Sequence, residues 1–288
     1  MSKSQILTPT PLQSFESIFL KREDFNPSGS VKDRAVVVQL AWAKKTGYKK
    51  VAASTSGNFG ISLGYWAKYF GLKIFVFVSP KTPKLKLQRL KTLPISLKIT
   101  DYPIKDCFNF CRKNDVLNLR QSLDPRAYLG FSNLGKELAQ EIKKKKIGKG
   151  SIFFPVSSGT TFLGAMKGLE KAGCFLRPFL VAPASNPYLT SFWDQDYTFQ
   201  KRKIASALVA KVIPQKEEIR KLVKRYQGSG LVIQNKDIIK WDSYLKKKGV
   251  QTSAEGALCF AGVEKAQRQG LINKKDKIIC LLTGKRYE

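Results

Sequence analysis

Hydrophobic positions follow two spacings along this chain. From residue 35 onward, short continuous apolar runs such as IFVFV (74–78) and IICLL (278–282) alternate with stretches whose apolar positions recur every three or four residues. The first spacing predicts buried strands and the second predicts helices with one face on a core. Their alternation predicts an α/β fold with a largely parallel sheet. Helices are expected at 34–47, stopping at Gly47, at 61–71, around 84–93 and at 104–114. Strands are expected between them at 49–55, 73–79 and 95–100. The segment 128–146 is expected to open in turn residues and to continue as an amphipathic helix. SIFFPVSSGTTFLGAMKGLEKAG (151–173) repeats the strand, glycine-bearing turn and helix of 51–71. A strand at 175–185 follows, then a stretch without clear period at 186–203 that predicts a loop. Helices at 214–227, 236–248 and 253–268 and a strand at 277–283 complete the chain. The βαβαβ-like run from 40 to 132 predicts a smaller lobe, with 1–39 and 133–288 forming a larger one.

Composition narrows the chemistry. The 288 residues include no histidine, which removes the commonest general base and the commonest metal ligand. A Ser-His-Asp triad and a histidine zinc site are excluded. Five cysteines, odd in number and without a CxxC pair, lie mostly among apolar neighbours; they predict reduced, buried thiols, and no metal site is expected. No apolar run is long enough to span a bilayer. The N-terminus MSKSQILTPTPLQ lacks the apolar core of a signal peptide, so a cytoplasmic protein is expected.

Fifty-two Lys and Arg stand against 21 Asp and Glu, a formal net charge of +31. Such a charge attracts polyanions non-specifically. The lysines are spread along the whole chain, however, and the short runs at 143–146 and 246–248 end expected helices, where cations suit the helix dipole. With no zinc knuckle, RNP-like motif or basic tail, nucleic acid is not the expected partner.

Three loops sit where strand ends meet helix starts, the ligand crevice of an open α/β sheet: SGNFG (56–60), SSGTT (157–161) and the tail TGKRYE (283–288). A Ser/Gly/Thr turn opening a helix offers backbone N–H groups to an anion, although any α/β protein has such turns. It fits neither G-x-x-x-x-G-K-[ST] nor G-x-G-x-x-G. In NPSGSVKDR (26–34), Lys32 stands at the start of an apolar helix beside small residues. Local physics leaves two readings open: a solvated lysine at a helix start, or a desolvated amine with a lowered pKa that acts as a nucleophile. Asp33 and Arg34 are expected to serve the first turn or to pair with neighbours, and Glu255 to be a helix N-terminal acid.

The segment FLKREDFNPSGSVKDRA (19–35) resembles the cofactor-lysine segment of pyridoxal-phosphate enzymes of the tryptophan synthase β-subunit fold, which include cysteine synthase, threonine synthase and the serine/threonine dehydratases. TPTPL (8–12) is similar to that family's opening Thr-Pro-Leu, STSGNFG (54–60) to its Ser-Gly-Asn loop, PVSSGTTFLGAMKG (155–168) to its phosphate cup and following helix, and LLTG (281–284) to the strand end beside the pyridine nitrogen. The matches occur in order from residue 8 to residue 284. The resemblance implies two open, parallel-rich α/β lobes with pyridoxal 5′-phosphate between them, the 40–132 lobe binding substrate and moving. It implies that Lys32 is the catalytic, Schiff-base lysine that also moves protons. Ser157, Ser158, Gly159, Thr160 and Thr161 would hold the cofactor phosphate, although Ser157 stands where glycine is usual and would be strained if that position needs positive φ. Asn58 would face the ring hydroxyl and Thr283 the pyridine nitrogen. Thr55, Ser56, Gly57, Asn58 and Phe59 would contact the substrate carboxylate. Relatives also imply a homodimer.

The motifs divide among subfamilies. Dehydratases usually show Lys-x-Arg-Gly-Ala and Gly-Asn-His, whereas this chain has Lys-Asp-Arg-Ala and Gly-Asn-Phe. TSGNFGISLG and the final GKRY resemble cysteine synthase. LKREDFNPSGSVKDR, LGKELAQEI (134–142), PVSSGTTFLGAMKG, KIASALVAKVIP and IICLLTG look more like threonine synthase. The expectation is therefore threonine synthase, which converts O-phosphohomoserine and water to threonine and phosphate by γ-elimination and β-addition. The alternative is cysteine synthase, a β-replacement on O-acetylserine by sulfide. A third class is a non-catalytic basic binding protein on the same fold, against which Lys32, Asn58 and Thr283 argue. Lys81, Lys84 and Arg89 are among many cations that could meet a substrate phosphate.

Overall fold

The computed structural model describes residues 7–287. A hairpin of β1 (Leu12–Phe15) and β2 (Ile18–Arg22) leads through a 3-10 turn at Glu23–Phe25 to α1 (Lys32–Lys45). Then follow β3 (Lys50–Ser54), α2 (Asn58–Phe70), β4 (Lys73–Val78), α3 (Lys84–Lys91), β5 (Ser96–Ile99), α4 (Pro103–Asn114) and the short β6 (Leu117–Asn118). The long α5 (Pro125–Lys144) is followed by β7 (Ser151–Pro155), α6 (Thr160–Lys171) and β8 (Arg177–Pro183). After a stretch without helix or strand come α7 (Lys216–Arg225), β9 (Ser229–Ile233), α8 (Asn235–Lys247), α9 (Ala254–Arg268) and β10 (Ile278–Leu282).

The strands form two sheets, one of six strands in the order β1-β2-β10-β7-β8-β9 and one of four in the order β5-β4-β3-β6. Every pairing is parallel except that of β1 with β2. Helices cover both faces of the six-stranded sheet, which is why β7 and β10 are buried at every position rather than at alternate ones. The period of two still sorts the side chains. Ile152 and Phe154 enter the core shared with α5 and α6, whereas Phe153 enters the core shared with α8 and α9. The four-stranded sheet divides likewise: Val51, Ala53, Ile74 and Val76 pack with α1 and α2, and Ala52 and Phe77 pack with Cys107 and Cys111 of α4.

Several elements differ from the sequence expectation. β1, β2, β6 and β9 were not expected. β9 is a short apolar run, GLVI, lodged between two helices, and β6 is two residues long. In the hairpin, β2 carries the charged Lys21 and Arg22 into the interior, against the usual pattern of a strand. Lys21 is buried because its Nζ donates to the Thr10 carbonyl (2.5 Å) and to Glu137 Oε1. Arg34 of α1 closes this cluster, donating to Glu23 Oε1 and Oε2 (2.8 and 2.9 Å) and to Glu137. Burial by itself would raise the Glu23 carboxyl; Arg34, Lys21 and Thr10 outweigh it and lower its pKa overall. Arg34 therefore ties the start of α1 to β2 and α5 through buried charge.

α5 also begins earlier than expected, at Pro125, with Asp124 capping the Arg126 amide at 3.0 Å. Gly130, Ser132 and Asn133, read from sequence as turn residues, are helical. Packing overrides their propensity, because a Cβ on Gly135 would collide with the Ala165 carbonyl of α6 and one on Gly168 with the Ser132 carbonyl of α5. The two helices meet backbone to backbone.

Candidate active site

The three glycine-bearing loops all leave the C-terminal ends of parallel strands: 55–59 after β3, 156–159 after β7 and 283–285 after β10. Lys32 is brought to the last of these by main-chain pairing. Ser30 bridges Gly284, the Val31 amide donates to the Thr283 carbonyl (2.9 Å), and the Lys285 amide donates to the Gly29 carbonyl (2.9 Å). Asn58 reaches the same place from the other sheet. A Cβ built on Gly284 would stand 3.3 Å from Asn58 Nδ2 and 3.7 Å from Ser30 Cβ. Lys32, Asn58 and Thr283 thus converge although they lie 26 and 225 residues apart in sequence.

The fourth side of the site is α5. Lys32 Nζ donates to Gln121 Oε1 (2.8 Å) and stands 5.7 Å from the Phe131 ring centroid. One turn before Phe131, the Tyr128 hydroxyl donates to the Ser122 carbonyl (3.2 Å) and lies beside Thr160 of the 157–161 turn. The amine and the Ser/Gly/Thr turn therefore flank the same stretch of α5. Lys32 as a residue retains some exposure, but its Nζ is enclosed, and desolvation lowers the pKa from 10.5 to about 8. Of the two local readings, the structure places Lys32 as an enclosed amine.

In the turn itself, the positive φ falls on Gly159 (+77°), the residue before the first of α6, and not on Ser157. The serine in place of the usual glycine is therefore unstrained. Its Oγ accepts from the Ala210 amide (2.8 Å), tying down the irregular 184–215 segment, while Ser158 Oγ and Thr160 Oγ1 lie 2.9 Å apart. Thr160 and Thr161 open α6, where helix geometry leaves amides without intrahelical acceptors. In the 55–59 loop, Gly57 holds φ +130° and its amide donates to Thr55 Oγ1 (3.0 Å), while Asn58 and Phe59 open α2. Ser56 lies partly exposed between them. Glu255 is structural: its Oε1 accepts from the Ala207 amide (2.8 Å). All five cysteines are free thiols, four of them buried.

An enclosed lysine amine beside a turn with open amides is the equipment that a phosphate-bearing aldehyde requires. The chain belongs to the family of pyridoxal-phosphate dependent enzymes, whose family model matches residues 3–284. It is 26% identical to the L-serine dehydratase/L-threonine deaminase of Mus musculus over 162 residues, 54% of this chain and 49% of that one. It thus spans about half the length of the first curated relatives it matches. It is 26% identical to the probable cysteine synthase of Bacillus subtilis, covering 94% of this chain and 88% of that protein, and 20% identical to the threonine synthase of Methanocaldococcus jannaschii, covering 93% and 70%. Among solved structures, maize serine racemase shares the fold with a TM-score of 0.84 at 17% identity, over 98% of this chain and 90% of that one. Among the described residues no helix is long and apolar enough to cross a membrane.

The site's residues fit pyridoxal 5′-phosphate, the cofactor of this family. Ser30 Oγ, Asn58 Oδ1 and Gln121 Nε2 are buried polar atoms without a partner among the described residues: Gln121 bonds Lys32 through its other amide atom, Ser30 stands two residues before Lys32, and Asn58 meets Ser30 at Gly284. Unpaired buried polar atoms on one site fit a polar ligand there. Sequence reasoning missed Ser30 and Gln121. Ser30 was visible only as a small residue in a turn, and Gln121 stands 89 residues from Lys32, where only the folded chain joins them.

Proposed function

We propose that this chain is a pyridoxal-phosphate-dependent lyase or synthase acting on an amino acid, and specifically threonine synthase. The observation that carries the coarser reading is the enclosed Lys32 amine amid the orphaned atoms of Ser30, Asn58 and Gln121. Lys32 would hold the cofactor covalently, the Ser157–Thr161 turn its phosphate, Asn58 its ring hydroxyl and Thr283 its pyridine nitrogen. When bound, the cofactor supplies an electron sink for bonds at the substrate α-carbon. Lys32 Nζ would serve the proton transfers, in a chain that has no histidine for the task. A pKa of about 8 puts a usable fraction of that amine in the neutral form near neutral pH, ready to take the α-proton and return it. Gln121 Oε1 accepts one N–H of Lys32 and holds the nitrogen in place. The helix-start amides of Asn58 and Phe59 would receive the substrate carboxylate. Thr283, a neutral hydroxyl, would not hold a proton on the ring nitrogen as a carboxylate does, which favours elimination over long-lived carbanions.

The finer reading, water addition with loss of phosphate, is supported by the threonine-synthase-like stretches. It is also supported by the cations beside the site, among which Arg89 and Lys285 line one cleft. The second reading is cysteine synthase, favoured by the extent of the Bacillus subtilis match. The two separate in one assay: phosphate release from O-phosphohomoserine beside sulfide-dependent cysteine formation from O-acetylserine. Phosphate release with threonine formation is expected, and cysteine formation alone would reject threonine synthase. Lys32→Ala should abolish the visible absorbance of the bound cofactor and cut turnover by at least about 10³-fold. Normal turnover by that variant would sink the assignment of Lys32.

A further inference from the structure

Asp33, beside Lys32 in the first turn of α1, is a fully buried acid. Most buried acids of this chain meet a cation: Glu23, Asp24, Asp124 and Asp194 are each paired with an Arg or a Lys. Asp33 forms no ion pair among the described residues, and its bonds run to neutral donors instead. One carboxylate oxygen accepts from the Ser28 amide (2.8 Å), and the other accepts from the Ser28 and Ser62 hydroxyls (2.5 Å each). Burial raises its pKa, and the hydrogen bonds offset that only in part.

These partners lie on the three segments that carry the site. Ser28 belongs to the turn that ends in Ser30, Asp33 adjoins Lys32, and Ser62 stands one helical turn beyond Asn58 in α2. The segments reach the site from both sheets: the Val31 amide is bonded to Thr283 after β10, whereas α2 follows β3. Packing already joins the two helices, since Val36 and Leu40 of α1 share one core with Ile61 and Leu63 of α2. An apolar side chain at position 33 would extend that core without the cost of burying a carboxylate. What the carboxylate adds is several acceptor positions on one rigid fork, enough to hold an amide and two hydroxyls at once.

We propose that Asp33 is a positioning residue, whose carboxylate locks the Ser28–Ser30 turn, Lys32 and the start of α2 into one register, so that the Lys32 amine and Asn58 meet the cofactor together. The inference rests on the reading of the chain as a pyridoxal-phosphate enzyme and deepens it. Asp33 acts on Asn58 through Ser62, rather than by a contact of its own with the cofactor. A misaligned partner weakens a hydrogen bond steeply, so the effect should appear in how tightly the cofactor is held.

Titration of apoprotein with pyridoxal 5′-phosphate, read by visible absorbance, tests this in variants that all keep Lys32. Ser62→Ala cuts only the arm to α2 and should weaken cofactor binding about 10-fold, the worth of one hydrogen bond. Asn58→Ala should do the same. The double variant should bind no more weakly than Asn58→Ala alone, because Ser62 works through Asn58. Asp33→Ala should weaken binding at least as much as Ser62→Ala. Asp33→Asn can still accept from the Ser28 amide and donate to a hydroxyl, so it should restore most of the affinity. Wild-type affinity in Ser62→Ala would overturn the proposal. A double variant about 100-fold weaker than wild type would also overturn it, since additive losses mean that Ser62 supports the fold independently of Asn58. If Asp33→Ala fails to fold, the cycle of Ser62 and Asn58 still decides. A wild type that takes up no cofactor would instead overturn the reading of the chain as a pyridoxal-phosphate enzyme, and the role of Asp33 with it.

Discussion

An amine must be neutral to attack a carbonyl, so the environment of Lys32 decides when the cofactor can load. Desolvation brings its pKa down from 10.5 to about 8, with no anion among the described residues pulling it back. The rate of reconstitution of apoprotein with pyridoxal phosphate should therefore rise with pH and level off above an inflection near 8. An inflection near 10.5, measured by the growth of cofactor absorbance, would mean an exposed lysine instead. Apoprotein stability moves in the same sense. Between about pH 8 and 10.5 the unfolded chain holds a proton on Lys32 that the folded chain has lost, so this group's contribution to stability rises with pH across that window. Much of this site was legible in the sequence at single residues. Lys32, Asn58 and Thr283 carry local signals: a small-residue turn before a helix, an Asn after Gly, a hydroxyl at a strand end. Ser30 and Gln121 do not. What distinguishes them is an unpaired polar atom, which is a property of neighbours brought together from distant segments.

At the scale of elements, the 157–161 turn is held in place by the contact of α5 with α6. Gly135 and Gly168 face each other's helix backbone so closely that a single methyl group would meet a carbonyl oxygen on either side. Gly168→Ala improves intrinsic helix propensity by nearly 1 kcal/mol, yet it must force the helices apart. The expected net loss is about 1–3 kcal/mol of stability, read by denaturant midpoint, with weaker retention of cofactor because the turn opens the displaced helix. A stabilised variant would show that the close approach is not tight. The same contact explains why α5 was harder to read than its neighbours. Its glycines and Ser132 looked like turn residues by propensity, and only the partner helix makes them the right choice. The βα units from β3 to α4, whose strands are continuous apolar runs, were readable nearly to their ends. The β1–β2 hairpin was not, because a strand that buries Lys21 and Arg22 violates binary patterning until Glu23, Asp24 and Glu137 are placed beside it.

Over the whole molecule, the balance of charge sets a further expectation. The 52 Lys and Arg cannot be neutralised by 21 acids, which leaves a formal charge of +31, and several of those acids are committed to buried cations. The surface therefore carries lysine against lysine, and self-repulsion disfavours the compact state. Salt screens exposed charges over about 10 Å at 0.1 M, whereas buried pairs such as Arg34 with Glu23 are screened far less. Raising sodium chloride from roughly 20 to 300 mM should consequently raise Tm, with the repulsion relieved and the buried cluster intact. A fall in Tm over that range would mean that exposed ion pairs, such as Lys240 with Glu264, outweigh the repulsion. The same screening should weaken non-specific binding to polyanions steeply. Polyanion affinity measured across the same salt series checks this, and a shallow loss would mean that the exposed cations do not carry that binding.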